Sequence, residues 1–316
     1  MHRYIATRLV YSIPVLFLVA TLVFFSLRLV PGDVLTARFE DDSRITPETL
    51  EAIRDELGIN QPAWRQYLPW MGNVAQGDFG NSLLTGRPAS EAILRGLPIT
   101  LEIALWSTLV SVLIGVPAGI ISAIWRHGVT DYVARIVAVL GQSVPNFVLA
   151  TLFVLLPALW WGWSAPIGYE SVFSAPKAHF QQLGPAVLVL GFSLSASIMR
   201  MTRSSLLEVL NQEYVLVARS KGLRDGTVVF RHALKNAFIP VLTTVGNQLG
   251  FLIGGSVIVE SVFGLPGLGQ LVLQSIQVRD YTQVQGAVVL IALGYVLINL
   301  VIDLSYGWFD PRVRYE

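Results

Sequence analysis

Apolar residues along this chain fall into long runs, not into the short alternations of a half-buried strand or the one-sided stripe of a soluble helix. A helix needs roughly 20 mostly apolar residues to cross the hydrocarbon core of a bilayer. Six runs reach or approach that length with little or no charge: Leu9–Val30, Ile99–Trp125, Ile136–Trp161, Gly184–Met199, Phe238–Val259 and Val284–Ile302. The fourth is the shortest and carries Ser193, Ser195 and Ser197, so it is the weakest of the six as a span. The first follows His2, Arg3 and Arg8, which invites the reading of a cleaved leader. Its uncharged stretch, Leu9 to Leu27, is longer than the roughly 7–15 residues of a leader's apolar region. Val30-Pro31-Gly32-Asp33 is also a poor cleavage site. A retained first span is the expectation.

The segment between the first two runs, Pro31 to Leu97, has its own organisation. Thr46-Pro47-Glu48 has the form of a helix start, with a Thr cap, a Pro in the first turn and an early acid. Leu50, Ile53 and Leu57 then share one face, and Gly58 ends it. A second helix is expected after Pro62, with Trp64, Tyr67, Leu68 and Met71 on one side, and residues 72–86 read as loop. The segment is either a cap resting on the membrane or a platform for a partner outside; the sequence leaves both open.

Charge placement orients the spans, because cytoplasmic loops carry an excess of Lys and Arg. With the N-terminus inside, the inner segments hold Arg3, Arg8, Arg126, Arg135, Arg200, Arg203, Arg219, Lys221, Arg224, Arg231, Lys235, Arg312 and Arg314. The two short outer loops hold only Lys177 and Arg279. Both termini are therefore expected in the cytoplasm. The long outer segment holds further basic residues, but long segments cross largely regardless of charge.

Composition agrees: 53% of the 316 residues are hydrophobic and 14% charged, too few charges to cover a soluble domain of this length. The net charge of +1 gives no general attraction to nucleic acid. There is no cysteine, and His2, His127, His179 and His232 are scattered, so a metal centre is not expected. The chain contains no phosphate-binding glycine loop and no nucleophile elbow.

The most informative stretch lies between the fourth and fifth runs. Glu213 to Lys221 suits a helix, Gly222 supplies a turn, and a second helix, Thr227 to Asn236, leads into Pro240 at the start of the fifth span. Two short helices joined at a glycine and studded with Arg and Lys could be a knob that enters a groove on a soluble partner. They could equally be a solvated basic loop obeying the charge rule. The residues alone leave these readings even.

The stretch resembles the coupling loop, or EAA loop, in permease subunits of bacterial ATP-binding-cassette importers. It is most similar to the dipeptide, oligopeptide and nickel branch, whose loop reads roughly E-Y-V-x-x-A-R-x-K-G-L followed by H-x-L-R-N-A-x-x-P. Glu213, Tyr214, Val215, Ala218, Arg219, Lys221, Gly222, Leu223, His232, Leu234, Asn236, Ala237 and Pro240 match, with Lys235 in place of the Arg. Leu216 and Lys235 depart from the general EAA pattern at its Glu and closing Pro. The resemblance extends over nearly the whole chain. It includes residues 28–33, Leu57-Gly58-Ile59-Asn60-Gln61-Pro62, Gly77-Asp78-Phe79-Gly80-Asn81-Ser82, Leu97-Pro98-Ile99-Thr100-Leu101, Phe263-Gly264-Leu265-Pro266-Gly267-Leu268-Gly269 and Asp310-Pro311-Arg312-Val313-Arg314.

The resemblance implies an all-α integral membrane protein with six transmembrane helices, both termini cytoplasmic. It implies the type I importer permease fold with a periplasmic insertion after the first helix. On this reading residues 1–30 are the N-terminus and first span, 31–97 the periplasmic segment, and 98–316 the permease core with a coupling loop at 203–238. The partners implied are a second homologous permease, two cytoplasmic ATP-binding subunits, a periplasmic substrate-binding protein and the lipid bilayer of a bacterial inner membrane. ATP and Mg²⁺ would sit on the ATPase subunits, and this chain would bind no cofactor and act as no enzyme. Peptides are the cargo implied first, with nickel chelates, glutathione or another small solute as alternatives. Glu213, Arg219 and Lys221 would be polar contacts with the ATPase, within a loop surface that also includes Tyr214, Ala218, Gly222, Leu223, His232 and Asn236.

For the translocation path, Gln142, Ser143 and Asn146 around Pro145 and Asn247 and Gln248 in the fifth run are candidates, since polar residues within spans usually face a cavity or the bundle interior. The same residue types also tie helices together. Pro145 is expected to break one backbone hydrogen bond in mid-helix. Gly246, Gly250 and Gly254, and Gly115 and Gly119, recur every four residues and permit close helix approach, within the subunit or across to the partner permease. Glu260 and Asp303, at span ends, are expected to snorkel. An ion-coupled secondary transporter is the alternative class, disfavoured because no charge lies in mid-membrane.

Overall fold

A computed structural model describes residues 2–29, 35, 46–56, 58–164, 166 and 168–309. The 30–33 and 310–314 matches, and Leu57, lie outside the described residues. Twelve helices are followed here: α1 (His2–Leu29), α2 (Pro47–Glu56), α3 (Ala63–Ala75), α4 (Ala89–Ile124), α5 (Val129–Ser143), α6 (Asn146–Trp161), α7 (Pro176–Leu210), α8 (Glu213–Ser220), α9 (Asp225–Gly255), α10 (Val257–Val262), α11 (Leu268–Gln277) and α12 (Tyr281–Phe309). Among the described residues there is no strand, only an isolated bridge between Asn81 and Pro88. Five helices are long and apolar enough to cross a membrane, and the bent pair α5–α6 makes a sixth crossing if counted as one span.

The serine-rich fourth run belongs to the most enclosed of these helices. α7 is 35 residues long, and 67% of its most apolar window is buried, against 6% for α12. It is the axis around which the bundle is built. Gly115 and Gly119 bring α4 against it so closely that a Cβ would stand 2.7 Å from the carbonyl oxygens of Ser195 and Met199, respectively. Between the two helices, Ile99, Ile103, Ala104, Leu183, Ala186 and Leu190 form a core with Leu252 and Ile253 of α9. Small residues at such a seam let helices exploit van der Waals packing where lipid gives no hydrophobic drive.

Gly246, Gly250 and Gly254 of α9 face α12 within the same chain: side chains there would meet Ile302, Tyr295 and Ile291. α1 lies outermost, packed on α12 with Arg8 3.3 Å from Asp303. The outer helix α3 is docked on α1 through Tyr67 and Trp70 against Phe24, with the Arg28 guanidinium donating to Gln66 at 2.8 Å. Trp64 and Leu68 of α3 remain exposed.

The third span differs from expectation. Pro145 does not kink one helix; it ends one and starts another at 95°. Val144, forced out of helical geometry by the following proline, is extended at φ −85° and ψ 122°.

Candidate functional site

α7 stops at Leu210, and after Asn211 and Gln212 the chain turns into α8. Glu213 lies in the first turn of α8 and Arg219 in its last, each at the end where the helix dipole favours its charge. Val215 and Ala218, three residues apart, are buried. They join Val228, Val229, Ala233 and Ala237 of α9, Leu206 and Val209 of α7, and Ile120 and Ala123 of α4. The knob is thus seated on the inner ends of three long helices. Its second half is not the separate short helix expected from Thr227 to Asn236. It passes through a π-helical stretch, Val228–Ala233, straight into α9, and Pro240 lies inside that helix.

The nine candidate loop residues divide by geometry. Tyr214 accepts a hydrogen bond from Asn236 Nδ2 at 2.8 Å and donates to the His232 carbonyl at 3.3 Å, a staple across the loop. Ala218 serves the hydrophobic seat. Glu213, Arg219, Lys221, Gly222 and Leu223 point outward, with Arg219 3.6 Å from Asp225. Gly222 has φ +78°, the left-handed region that side chains resist, and a Cβ there would meet nothing within 4 Å. Leu216, Val217 and Phe230 are also more than half exposed, which sequence reading missed. These exposed apolar side chains lie on the same stretch of chain as the exposed Arg219 and Lys221.

The path candidates are not uniform. Gln142 and Ser143 are exposed at the end of α5, and the Ser143 hydroxyl donates back to the Val139 carbonyl at 2.7 Å. Asn146 is half-buried just past the break. Asn247 is exposed on α9. Gln248 donates to the Leu194 carbonyl of α7 at 3.2 Å and so ties two helices together.

Three carboxylates, Asp131, Glu260 and Asp280, are buried where sequence reading did not expect it. Asp131, fully buried at the start of α5, receives both prongs of Arg203 from α7 at 2.8 and 2.9 Å. Ser122 of α4 donates to it at 2.5 Å and the His127 backbone N–H at 3.1 Å. Glu260, expected to snorkel, is instead fully buried. It accepts from Thr100 at 2.8 Å, Ser256 at 2.6 Å and the backbone N–H of Gln270 at 2.9 Å, and it caps the N-terminus of α11. In the loop before α7, burial and the hydroxyl's bond to Glu102 push Tyr169 up to about 12.

The family model described as binding-protein-dependent transport system inner membrane component matches residues 115–315, and the model for the N-terminal part of such components matches residues 1–104. The chain belongs to this family. The permease is 38% identical over 316 residues, with 100% of both chains covered, to glutathione transport system permease protein GsiC of Shigella boydii serotype 4 (strain Sb227) and of Escherichia coli (strain K12). Its fold is that of the MetNI methionine ABC transporter in inward-facing conformations (TM-score 0.58, 21% identity, 69% of this chain and 96% of that one). An amino acid ABC transporter solved with histidines is also similar (TM-score 0.53, 19% identity, 71% and 95%). The permease is therefore an inner-membrane subunit of an ABC importer, of the dipeptide, oligopeptide and nickel type. It is not an enzyme: separate subunits hydrolyse ATP, and the family works with an ATPase and a substrate-binding protein.

Proposed function

We propose that the permease pairs with a second homologous permease to form a path for short peptides, and that the knob from Glu213 to Asp225 receives the stroke of two ATP-binding subunits. The observation that carries this reading is the exposed tip, Leu216, Val217 and Arg219 to Leu223, anchored through Val215 and Ala218 on a seat shared by α4, α7 and α9. A push on such a tip moves three spans together, which is what switching between inward-open and outward-open states requires. Exposed Glu213, Arg219 and Lys221 would set register on the ATPase more than raw affinity. ATP and Mg²⁺ belong on the partners, and substrate choice largely on the binding protein outside. Full-length similarity to glutathione permeases makes glutathione, itself a tripeptide, the first cargo to test, with a labelled dipeptide beside it. Among the polar span residues, Asn247, Gln142 and Asn146 are proposed to face the path.

Gly222→Trp tests the coupling role. A Cβ here meets no neighbour and the backbone cost at φ +78° is local to the exposed turn, so the complex is expected to assemble, while an indole at the tip obstructs the ATPase groove. Binding-protein-stimulated ATP hydrolysis is expected to fall at least tenfold with membrane levels unchanged. Stimulation at the level of the unaltered protein would refute the assignment.

A further inference from the structure

We propose that the Asp131–Arg203 pair is the joint through which movement of the knob reaches the break at Val144-Pro145, so that α5 works as a lever on the translocation path. The inference rests on the coupling role proposed above. Arg203 lies on α7 two turns before its end, on the stretch that carries the knob. Asp131 lies in the first turn of α5. The two are joined bidentately, with Ser122 donating to the same carboxylate and 3.1 Å from Arg203 Nε. Arg135 approaches Asp131 at 3.7 Å from one turn along.

The rest of the α5–α7 contact is smooth. Ala138 rests on Ala196 and Met199, and Gly141 lies flush against Phe192. Smooth apolar surfaces slide; a two-pronged pair with fixed geometry does not. The lever arm from Asp131 to Ser143 is about 18 Å at helical rise. At its far end stand Gln142, Ser143, Asn146 and a break that bends the chain by 95°. Fixed at one end and jointed at the other, α5 has the geometry to convert displacement of α7's inner end into rotation at the break. A purely structural pair would hold the bundle together without transmitting this movement.

The chain has no cysteine, so Asn146→Cys gives its one thiol, and labelling is read on this subunit after it is separated from the assembled complex. Its rate of reaction with a hydrophilic maleimide is measured without nucleotide and after trapping with ATP and vanadate. The parent is expected to show a ratio of at least threefold between the two states. Asp131→Asn is expected to bring that ratio close to one, and Arg203→Lys, which keeps the charge but loses the fork, to fall between. An Asp131→Asn complex that keeps the parent ratio overturns the proposal, as does a parent whose reporter reacts alike in both states. If Asp131→Asn does not assemble, Ser122→Ala, which retains both charges, takes its place: a halved ratio supports the joint and an unchanged one overturns it. Gly222→Trp separates the two readings. An unchanged ratio there removes the coupling role of the knob. Loss of the ratio there, with retention in Asp131→Asn, removes only the joint.

Discussion

Asp131 and Glu260 are both fully buried carboxylates, but the two ends of the molecule hold them by different means. At the inner end Asp131 meets a cation, and the bond runs from the first turn of α5 to the long helix α7. Near the outer end Glu260 meets only neutral donors: two hydroxyls and the backbone N–H of a helix N-terminus, where the dipole favours its charge. A charge pair is directional and fails badly when one partner is lost, because the other is left uncompensated. A cap with several neutral donors loses less when one bond is weakened. The inner end is thus built around one decisive contact under the knob, and the outer end around a distributed clasp joining α4, α10 and α11.

Three substitutions break or sharpen this contrast. Arg203→Met removes the bidentate partner of Asp131, leaving Ser122, the His127 N–H and the more distant Arg135, and is expected to cost about 3 kcal/mol, the largest effect, seen as a lowered thermal midpoint of the purified complex by tryptophan fluorescence. Glu260→Gln keeps the shape but sets an amide N–H₂ against donors, costing about 1–3 kcal/mol in the same assay. Equal losses for the two would erase the contrast. Asn236→Ala removes one bond of the Tyr214 staple at an exposed site, worth about 1 kcal/mol. It is expected to leave assembly intact while loosening α8, which faster amide exchange over Glu213–Ser220 would register.

Much of this was legible in the sequence, and the exceptions share a cause. Hydropathy found every span but ranked α7 last, because Ser193, Ser195 and Ser197 lower an average taken over all faces. In the bundle Ser195 is buried against protein, where small polar residues are an asset. Pro145 announced a disturbance, but whether a proline kinks or ends a helix depends on what receives the next segment, and α6 packs on α7 and α10 after its turn. Glu260 looked like an end residue with water in reach; its neighbours Thr100 and Gln270 come from 160 residues earlier and 10 later, and the first distance is invisible to local reading. Asp131 and Arg203, 72 residues apart, were hidden in the same way. The knob itself was located by its residues, but the hydrogen bond between Tyr214 and Asn236, 22 residues apart, was not.

On the proposed function, the tip at Gly222 enters a groove on the ATP-binding subunit. Leu223→Cys, the lone thiol in this chain, tests it most directly through its rate of maleimide labelling with and without the ATPase subunits. Protection of at least tenfold is expected in the complete complex, lost when the ATPases are stripped away. Equal labelling in both preparations would contradict it.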